Sequence, residues 1–412
     1  MMRRVLLSIL CFGIFLPVFA EKPEKKEPPK ELPYKDLAVF MESLMLLREK
    51  YVDTGKISYE NLLRAAMRGM MRELDPFSNY ETPDRFKHIQ EDTRGNFPGV
   101  GMTVTSKNGL MMIVSTISGA PAAKAGLMSG DVIMEIDGKP IRDKSLSDCV
   151  KMLKGPEGTN VKVKIYRRKG DLTKEFTIKR AVIPIPTVMG AGLVSDKIGY
   201  IRISHFTETT VPDLDRALEQ LSKKKMEALV IDLRNNPGGL LKAAVGTVSR
   251  FIASKQPVVS VEGRTEKTIM HKSVDCKKYL KLPVAILINE NSASASEIVA
   301  ACLQDYKRAV LVGSRSFGKG SVQVILPLSD GGALRVTTAK YYTPSRRVIH
   351  GKGVSPDIAV NLSPMATVSV AQHLSEHSGT PPSIRKGKYH DPQLERAVEI
   401  LKGINIFRHS EK

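Results

Sequence analysis

The chain has 412 residues, which at about 150 residues per domain predicts two or three domains. Hydrophobic residues make up 42% and charged residues 26%, a globular composition that excludes a disordered, collagen-like or polytopic membrane protein. The 63 Lys and Arg against 43 Asp and Glu give a formal net charge of +20. This excess fits a nucleic-acid partner, an anionic envelope surface or solubility alone.

Residues 1–20 predict a secretory signal peptide. Arg3 and Arg4 precede an uncharged, largely apolar run that ends with small residues near Ala20. The run is shorter than the roughly 20 apolar residues that span a bilayer, although an uncleaved anchor stays an alternative.

The cysteines predict no disulfide framework. Cys11 lies in the signal segment and follows Leu10, where a lipoprotein signal has a small residue, so lipidation is not expected. Cys149, Cys276 and Cys302 are an odd number and allow at most one disulfide. The mature chain must therefore fold by burying a core, for which about 390 residues suffice.

A linker and a helical region follow the signal segment. Residues 21–34 are rich in Lys, Glu and Pro and offer little to bury, which predicts a charged, Pro-rich linker. Within residues 35–95, apolar residues recur every three or four positions from Leu37 to Glu73 and predict two amphipathic helices. Asp75 and Pro76 then form a natural helix stop.

Residues 96–180 change to short strands and turns. Asp137-Gly138 is a hairpin signal between strand-like runs, and Leu146–Leu153 has helical spacing. The pattern predicts a small β-rich domain.

The rest of the chain has the pattern of an α/β domain. Residues 181–362 alternate apolar runs with helical stretches, which predicts a partly parallel sheet. The runs with the pattern of buried strands are Ala228–Leu233, Val284–Asn289 and Ala309–Val312. Residues 363–412 are predicted to be a polar loop up to His390, followed by a short helix around Leu394–Leu401.

Ser294 stands where a buried strand is predicted to end and a helix to begin. The first helical amides and the positive end of the helix dipole would face its hydroxyl, where an oxyanion can form. Lys319 follows 25 residues later, between two glycines. Ser294 and Glu297 also make a capping box, which would explain that pair without any chemistry.

Two other motifs compete with this site. Gly313–Lys319 fits a phosphate loop, but Gly320 stands where a Ser or Thr hydroxyl must reach Mg²⁺, which disfavours an NTPase. His373 and His377 have the spacing of an inverted zinc-protease motif, but their segment is rich in Ser and Pro and predicts a surface loop. We therefore expect no metal and no cofactor.

A glycine loop, Gly99-Val100-Gly101-Met102, is a candidate carboxylate site. Consecutive amides around glycines can surround an anion, and an adjacent strand edge can pair with an extended peptide. A plain hairpin turn would have the same pattern.

Taken together, these segments resemble the carboxy-terminal processing peptidases, or tail-specific proteases, which are secreted Ser-Lys endopeptidases with a PDZ domain. The resemblance extends over nearly all of the mature chain and rests on motifs in one order. They are Leu74–Pro76 with Ser78 and Tyr80, Pro121–Leu127 with Gly130 and Asp131, Asp232–Gly239, Ser294–Ile298, Phe317–Gln323 and Tyr342–Ser345.

Two residues depart from the pattern of this family. Phe77 stands where the family usually has His, and Arg346 where Gly is common. We expect neither to touch the catalytic residues, and we expect Phe77 to alter how the N-terminal helices pack or dimerise.

The resemblance implies an α/β multi-domain fold, with a helical N-terminal region, a PDZ-like β-rich domain and an α/β catalytic core of the ClpP/crotonase type. It implies Ser294 as nucleophile, Lys319 as general base and Gln323 as support for the lysine.

The resemblance also implies an oxyanion hole. It would consist of the amide of Ala295 and an amide of the Gly238-Gly239 turn.

The chemistry of a lysine base sets its own requirements. At a pKa near 10.4, lysine is neutral in only about 0.1% of molecules near pH 7.4. Lowering that pKa to roughly 7 requires burial and costs about 4–5 kcal/mol. The flanking glycines would let the amine of Lys319 turn inward against Phe317. In a straight strand Lys319 and Gln323 would lie about 13 Å apart, so a bend at Gly320 has to bring them together.

The predicted protein is a periplasmic or otherwise exported envelope endopeptidase that cleaves proteins from unstructured C-terminal tails. The glycine loop would capture the tail, and Arg180 is a candidate for coupling tail binding to catalysis. A homodimer through the N-terminal helices, an adaptor and peripheral envelope contact are further expected partners.

Two alternatives belong to other functional classes. Intact Ser294 and Lys319 argue against an inactive PDZ scaffold. Basic residues are spread along the chain without an aromatic-basic module, which argues against nucleic-acid binding.

Overall fold

The computed structural model describes most of the chain. The described residues are 34–107, 109–117, 119–264, 268–376, 379–387 and 389–410. The predicted signal peptide, and the linker up to Pro33, lie outside them. The described chain divides into two compact units, one ending at Ala66 and the other beginning at Met67.

The two helices predicted near the start are present. They are α1 (Tyr34–Lys50) and α2 (Tyr59–Leu74), with a 3-10 turn at Thr54–Lys56 between them. Helix α2 ends directly before Asp75, whose carboxylate oxygen accepts hydrogen bonds from the amides of Phe77 (2.7 Å) and Ser78 (2.9 Å). This side-chain turn competes with further helical bonds and ends the helix.

Strand β1, helix α3 and a β-rich domain follow. The elements are β1 (Asn79–Glu81), α3 (Pro83–Arg94), β2 (Asn96–Gly99), β3 (Met102–Lys107), β4 (Leu110–Thr116), α4 (Pro121–Ala125), β5 (Val132–Ile136), β6 (Lys139–Pro140), α5 (Leu146–Leu153), β7 (Asn160–Arg167), β8 (Leu172–Lys179) and β9 (Ala181–Pro184). Strands β3-β4-β5-β7-β8 form an antiparallel sheet, with β3 at one end of the order. The chain enters and leaves this domain through the β2-β9 ribbon. The Asp137-Gly138 hairpin is confirmed, since both residues have positive φ angles, of 50° and 72°.

The α/β domain contains two sheets. Its elements are β10 (Val188–Ser195), β11 (Ile198–Ile203), α6 (Thr210–Lys223), β12 (Ala228–Asp232), α7 (Leu241–Ser249), β13 (Pro257–Gly263), β14 (Ile269–Lys272), β15 (Val284–Ile288), α8 (Ala295–Asp305), β16 (Ala309–Gly313), β17 (Ser321–Pro327), β18 (Ala333–Tyr342) and β19 (Ile358–Ala359). The first sheet has the order β10-β11-β12-β15-β16-β19 and is parallel from β11 onward. The second is antiparallel, with order β1-β18-β13-β14 and β17 paired to β18.

The parallel sheet is covered on both faces. Leu229 and Ile231 of β12 pack into the core that contains α6, α7 and α8, whereas Ala228 and Val230 pack into the core that contains the C-terminal helix (Pro392–Ser410). Because successive side chains of a strand alternate between faces, double burial produces the continuous apolar runs seen in the sequence.

The C-terminal segment differs from the prediction. Residues predicted as polar loop contain helix α9 (Pro364–Glu376), followed by β20 (Arg385–Lys386) and β21 (Tyr389–His390). The predicted short helix is α10 (Pro392–Ser410), with 19 residues. The loop prediction was wrong because it relied on the polar composition of the whole segment. It overlooked the helical spacing of apolar residues such as Val370 and Leu374, which α9 buries. Within the described ranges, the helices lack the length and apolarity required to cross a membrane.

A buried ionic network ties α10 to the sheet. The guanidinium of Arg234 bonds to Asp232 (2.7 Å) and Asp391 (2.9 Å), and all three side chains are at most 2% exposed. The hydroxyl of Tyr200 also donates to Asp232, at 2.8 Å. Removing one partner of such a network would leave an uncompensated buried charge. The network thus fixes the chain just where it leaves β12 toward the candidate site.

Candidate active site

Ser294 lies between β15 and α8, as predicted. It is the N-cap of α8, half-buried, with φ 55° and ψ −113°. A non-glycine residue with this backbone is strained, and such strain persists where the surrounding structure fixes it. The arrangement presents the hydroxyl beside the free amides of the first helical turn.

Glu297 fixes this strained residue. Its carboxylate is 1% exposed and accepts hydrogen bonds from the amides of Ser294 and Lys319, both at 2.8 Å and both on Oε2. Its other oxygen accepts from the amide of Gly318 (2.7 Å) and the hydroxyl of Ser316 (2.5 Å). Burial raises the pKa of Glu297, while these four donors favour its charged form.

This carboxylate brings the candidate nucleophile and base together. Two amides on one oxygen lie within two hydrogen-bond lengths of each other, although Ser294 and Lys319 are 25 residues apart in sequence. The capping-box reading of Glu297 is therefore incomplete, because the same side chain also binds the Lys319 segment.

The amine of Lys319 is half-buried and donates to Gln323 Oε1 at 3.0 Å. Strand β17 begins only at Ser321, and its pairing with β18 shifts register between Val322 and Gln323. This irregularity and the turn at Gly320 bring together two side chains that a straight strand would separate.

The surroundings of Lys319 lower the pKa of its amine from the ordinary 10.5. Burial is the main cause, and the positive charge of Arg335 adds to it, while Asp75 opposes the shift. The direction is the one that a general base requires.

No hydrogen bond joins Lys319 Nζ to Ser294 Oγ among the described residues. Instead the Ser294 hydroxyl interacts with the hydroxyl of Tyr341, which donates to the carbonyl oxygen of Lys319. Burial raises the pKa of Tyr341 well above its ordinary value, so its hydroxyl remains a neutral donor. The motifs did not identify Tyr341, although it directly precedes the Tyr342–Ser345 motif, because its contact with Lys319 depends on the pairing of β17 with β18.

Phe77 lies next to the candidate base, contrary to the prediction. Its ring centroid lies 5.0 Å from Lys319 Nζ, and its carbonyl oxygen accepts from Gln323 Nε2 at 2.6 Å. The expectation that this residue lies away from the dyad was therefore wrong. The aromatic neighbour of the amine is Phe77, not Phe317, a residue that is 56% exposed.

Arg346, the second departure, lies elsewhere. It has φ 65°, a conformation that favours glycine, and it pairs with Glu262 at 2.5 Å and stacks over Tyr342 at 4.8 Å. These contacts offset the strain of a non-glycine residue.

The turn before Gly239 lies against Ser294. A Cβ placed on Gly238 would come within 2.8 Å of Ser294 Cβ and 3.0 Å of the Ala295 amide. The Gly238 amide donates to Asn236 Oδ1 at 2.9 Å, whereas the amides of Gly239 and Ala295 have no protein acceptor within the described part of the chain. These two amides are available to bind an oxyanion.

The glycine loop lies at the edge of the β-rich domain. The carbonyls of Val100 and Gly101 accept from the amides of Ala122 (2.8 Å) and Ile117 (2.9 Å). In a trans peptide the N–H points opposite to the C=O, so the amides of Gly101 and Met102 point away from those partners. Gly101 has φ 76°, and a Cβ there would lie 2.3 Å from Ala120 Cβ, which makes glycine necessary.

Arg180 is buried rather than exposed. It donates to the carbonyls of Met152 (2.9 Å), Leu153 (3.1 Å) and Asn160 (2.9 Å) and to the hydroxyl of Thr159 (3.0 Å). It thus joins the end of α5 to the start of β7 beside the β2-β9 ribbon.

The described residues give the two competing motifs no support. His373 lies on α9, stacked on Tyr389 at 3.8 Å, while His377 is outside the described residues. In the described ranges no cluster of His, Cys, Asp or Glu could hold a metal ion. In the phosphate-loop candidate, the amides of Gly318 and Lys319 already bind Glu297.

Comparisons with known proteins agree with this architecture. Residues 197–360 match peptidase family S41, and residues 112–167 match the PDZ domain. A carboxy-terminal-processing protease of Bartonella bacilliformis is 38% identical over 392 residues, which cover 90% of this chain and 89% of that protein.

Two further relatives extend the comparison. A Staphylococcus haemolyticus protein named as a CtpA-like serine protease is 39% identical over 78% of this chain and 63% of its own length. A solved structure from Bacteroides fragilis named as an S41 protease has a TM-score of 0.50 and 20% identity, and the match covers 92% of this chain and 100% of that one. At that identity the likeness supports the fold alone.

Gly238→Ala tests the contact between the turn and the nucleophile. We expect hydrolysis of an unfolded protein to fall by about 10²-fold or more, comparable to losing an oxyanion donor, because the new Cβ would displace the turn from Ser294. The measurement is kcat on purified protein with an unchanged circular dichroism spectrum.

Gly138→Ala is the matched control. Gly138 also has a positive φ, of 72°, but an added Cβ there meets nothing within 4 Å. Equal losses in both variants would show that backbone strain alone explains the effect.

Proposed function

The chain belongs to the carboxy-terminal processing proteases of peptidase family S41, and on that premise we propose that Ser294 and Lys319 form its catalytic dyad. It is a serine-type peptidase with a PDZ domain. The observation that carries the dyad is the pair of Ser294 and Lys319 amides on one oxygen of Glu297.

The proposed reaction is acyl transfer followed by hydrolysis. Neutral Lys319 accepts the proton of the Ser294 hydroxyl as Oγ attacks the peptide carbonyl carbon. The amides of Gly239 and Ala295 bind the resulting oxyanion. The ammonium of Lys319 then protonates the leaving amine, and a water molecule activated by the same lysine hydrolyses the acyl-enzyme.

Gln323 supports the base in this scheme. Its Oε1 accepts one N–H of Lys319 at 3.0 Å, which restricts rotation of the amine. When one N–H of a neutral amine is held in place, the lone pair can point in only a limited range of directions. Proton transfer requires that the lone pair point at the hydroxyl of Ser294.

The PDZ domain is proposed to select substrates by their C-terminal tails. The amides of Gly101 and Met102 would bind the terminal carboxylate, and the tail would extend β3, which is the end strand of its sheet. Arg180 binds carbonyls at the end of α5, beside which the tail is proposed to lie, and is proposed to transmit tail binding toward the β2-β9 ribbon.

We also propose export to the cell envelope and cleavage of envelope proteins there. The N-terminal sequence pattern and the basic composition support this location. An adaptor that delivers substrates is compatible with a tail-binding domain, and salt extraction of envelope fractions would test peripheral attachment.

The dyad predicts the outcome of two substitutions. Ser294→Ala and Lys319→Ala should each reduce kcat by at least about 10⁴-fold while leaving the fold intact. Ser329→Ala and Lys340→Ala, at exposed positions on or beside β18, are the matched controls and should retain activity. Full activity of either dyad variant would exclude the dyad, and an inactive unsubstituted protein would favour a PDZ scaffold.

The tail proposal predicts a dependence on the free carboxylate. A peptide substrate with an amidated C-terminus should lose about tenfold or more in kcat/KM, since hydrogen bonds to a charged group contribute about 1.5–3 kcal/mol. N-acetylation of the same peptide is the control and should have no effect. Equal rates for the amidated and free-acid peptides would contradict tail recognition.

Apolar side chains exposed on α1 support a homodimer through the N-terminal helices. Leu37, Met41 and Met45 are 50–60% exposed and recur every four residues on one helical face. We expect Met41→Glu with Met45→Glu to convert a dimer to monomers in sedimentation equilibrium. Ser43→Glu, on the opposite face, is the control, and a monomeric unsubstituted protein would refute the proposal.

A further inference from the structure

The loop that carries Phe77 is fixed before it reaches the dyad. The carboxylate of Asp75 accepts from the amides of Phe77 (2.7 Å) and Ser78 (2.9 Å) and from the Ser78 hydroxyl (2.6 Å). The same hydroxyl accepts from the amide of Thr337 at 3.1 Å, which joins the loop to β18. The position of Phe77 is therefore determined by both the turn and the sheet.

Phe77 contacts the base system through two different groups. Its carbonyl oxygen accepts from Gln323 Nε2 at 2.6 Å, and this bond directs the opposite end of the amide, Oε1, toward Lys319. Its ring lies 5.0 Å from Lys319 Nζ. Backbone and side chain thus act on the same amine, one through Gln323 and one directly.

The ring is one part of an aromatic wall. Phe77 packs edge-to-face with Phe317, at 6.4 Å between ring centroids, and with His350, at 6.2 Å. These contacts hold the Phe77 ring against the amine and restrict water on that side.

We propose that Phe77 is a positioning residue for Lys319: its carbonyl orients Gln323, and its ring excludes water from the amine so that the neutral base is populated. This inference rests on the proposed dyad. Phe77 neither attacks the substrate nor exchanges a proton, so it acts through the lysine.

The charged and titratable groups around the amine come from every neighbouring element. Asp75 lies in the turn after α2, Arg335 and Tyr341 lie on β18, Glu297 lies on α8, and His350 adjoins Gly320. Asp75 favours the ammonium and Arg335 disfavours it, while burial is the largest influence on the pKa of Lys319. The ring contributes to that burial.

The ring has two opposing effects on the amine. A cation held over an aromatic face gains about 0.5–2 kcal/mol, which favours the ammonium. Exclusion of water disfavours the ammonium, and in buried lysines this effect lowers the pKa by up to several units. Water solvates an ammonium better than a phenyl ring does, so replacing the ring by water must raise the pKa of Lys319.

The test is the pH profile of kcat/KM for the full chain with Phe77→Ala and Phe77→Leu. In Phe77→Ala we expect the rising acidic limb to move to higher pH by about one unit, which lowers activity about tenfold below the midpoint. Phe77→Leu keeps an apolar wall without an aromatic face, so its limb should stay in place or move to lower pH. If Phe77→Ala does not fold, Phe77→Val, which leaves more room for water beside the amine than Leu does, is expected to move the limb in the same direction by a smaller amount.

Two comparisons make the result specific. Phe86→Ala, at a half-buried position on α3, controls for loss of a phenyl ring and should leave the limb in place. An unchanged limb in Phe77→Ala, or an equal upward move in Phe77→Leu, would overturn the inference even if kcat falls. Lys319→Ala separates the two proposals, because activity in that variant would refute the dyad itself.

Discussion

One buried carboxylate constrains the catalytic domain. Glu297 is 1% exposed, and its charge is compatible with that burial only because four donors from two chain segments surround it. Loss of any donor would leave part of the desolvation penalty of the carboxylate uncompensated. For a buried neutral polar group without a partner this penalty is roughly 1–3 kcal/mol, and for a charged group it is larger. The segments of Ser294 and Lys319 therefore cannot separate without leaving this buried carboxylate short of donors.

The two sheets supply those segments from different directions. The parallel sheet delivers Ser294 at the end of β15, where the strained N-cap begins α8. Lys319 lies just before β17 of the antiparallel sheet. The hydroxyl of Tyr341, on the adjacent β18, donates a hydrogen bond to the carbonyl oxygen of that lysine. The site is thus an interface between two sheets, and β1 extends the second sheet so that the loop with Phe77 reaches the amine.

Sequence patterns predicted the strands and helices that depend on residues close together in the chain. The strands β12, β15 and β16 and the helix α5 follow from apolar runs and periodicity, and the helix start at Ser294 follows from the strand-to-helix transition. Contacts between segments were not predictable in this way. Phe77 O to Gln323, 246 residues apart, depends on the register of β1 with β18, which no single segment encodes. Helix α9 was missed because the longer segment around it, residues 363–390, is rich in Ser and Pro and has the composition of a loop.

The hydrogen bonds around Lys319 fit the base proposed for this position, because they anchor the amine and leave its lone pair free. A neutral amine has two N–H donors and one lone pair, and Gln323 occupies one donor at 3.0 Å. The amide of Gln323 cannot flip, because its nitrogen is held by the carbonyl of Phe77 at 2.6 Å. Rotation of the amine about the remaining axis moves its lone pair along one arc, and the proposed proton transfer requires that this arc include the hydroxyl of Ser294. An acidic partner in place of Gln323 would stabilise the ammonium instead and remove the base. A neutral amide therefore suits this position, since it orients the lysine without charging it.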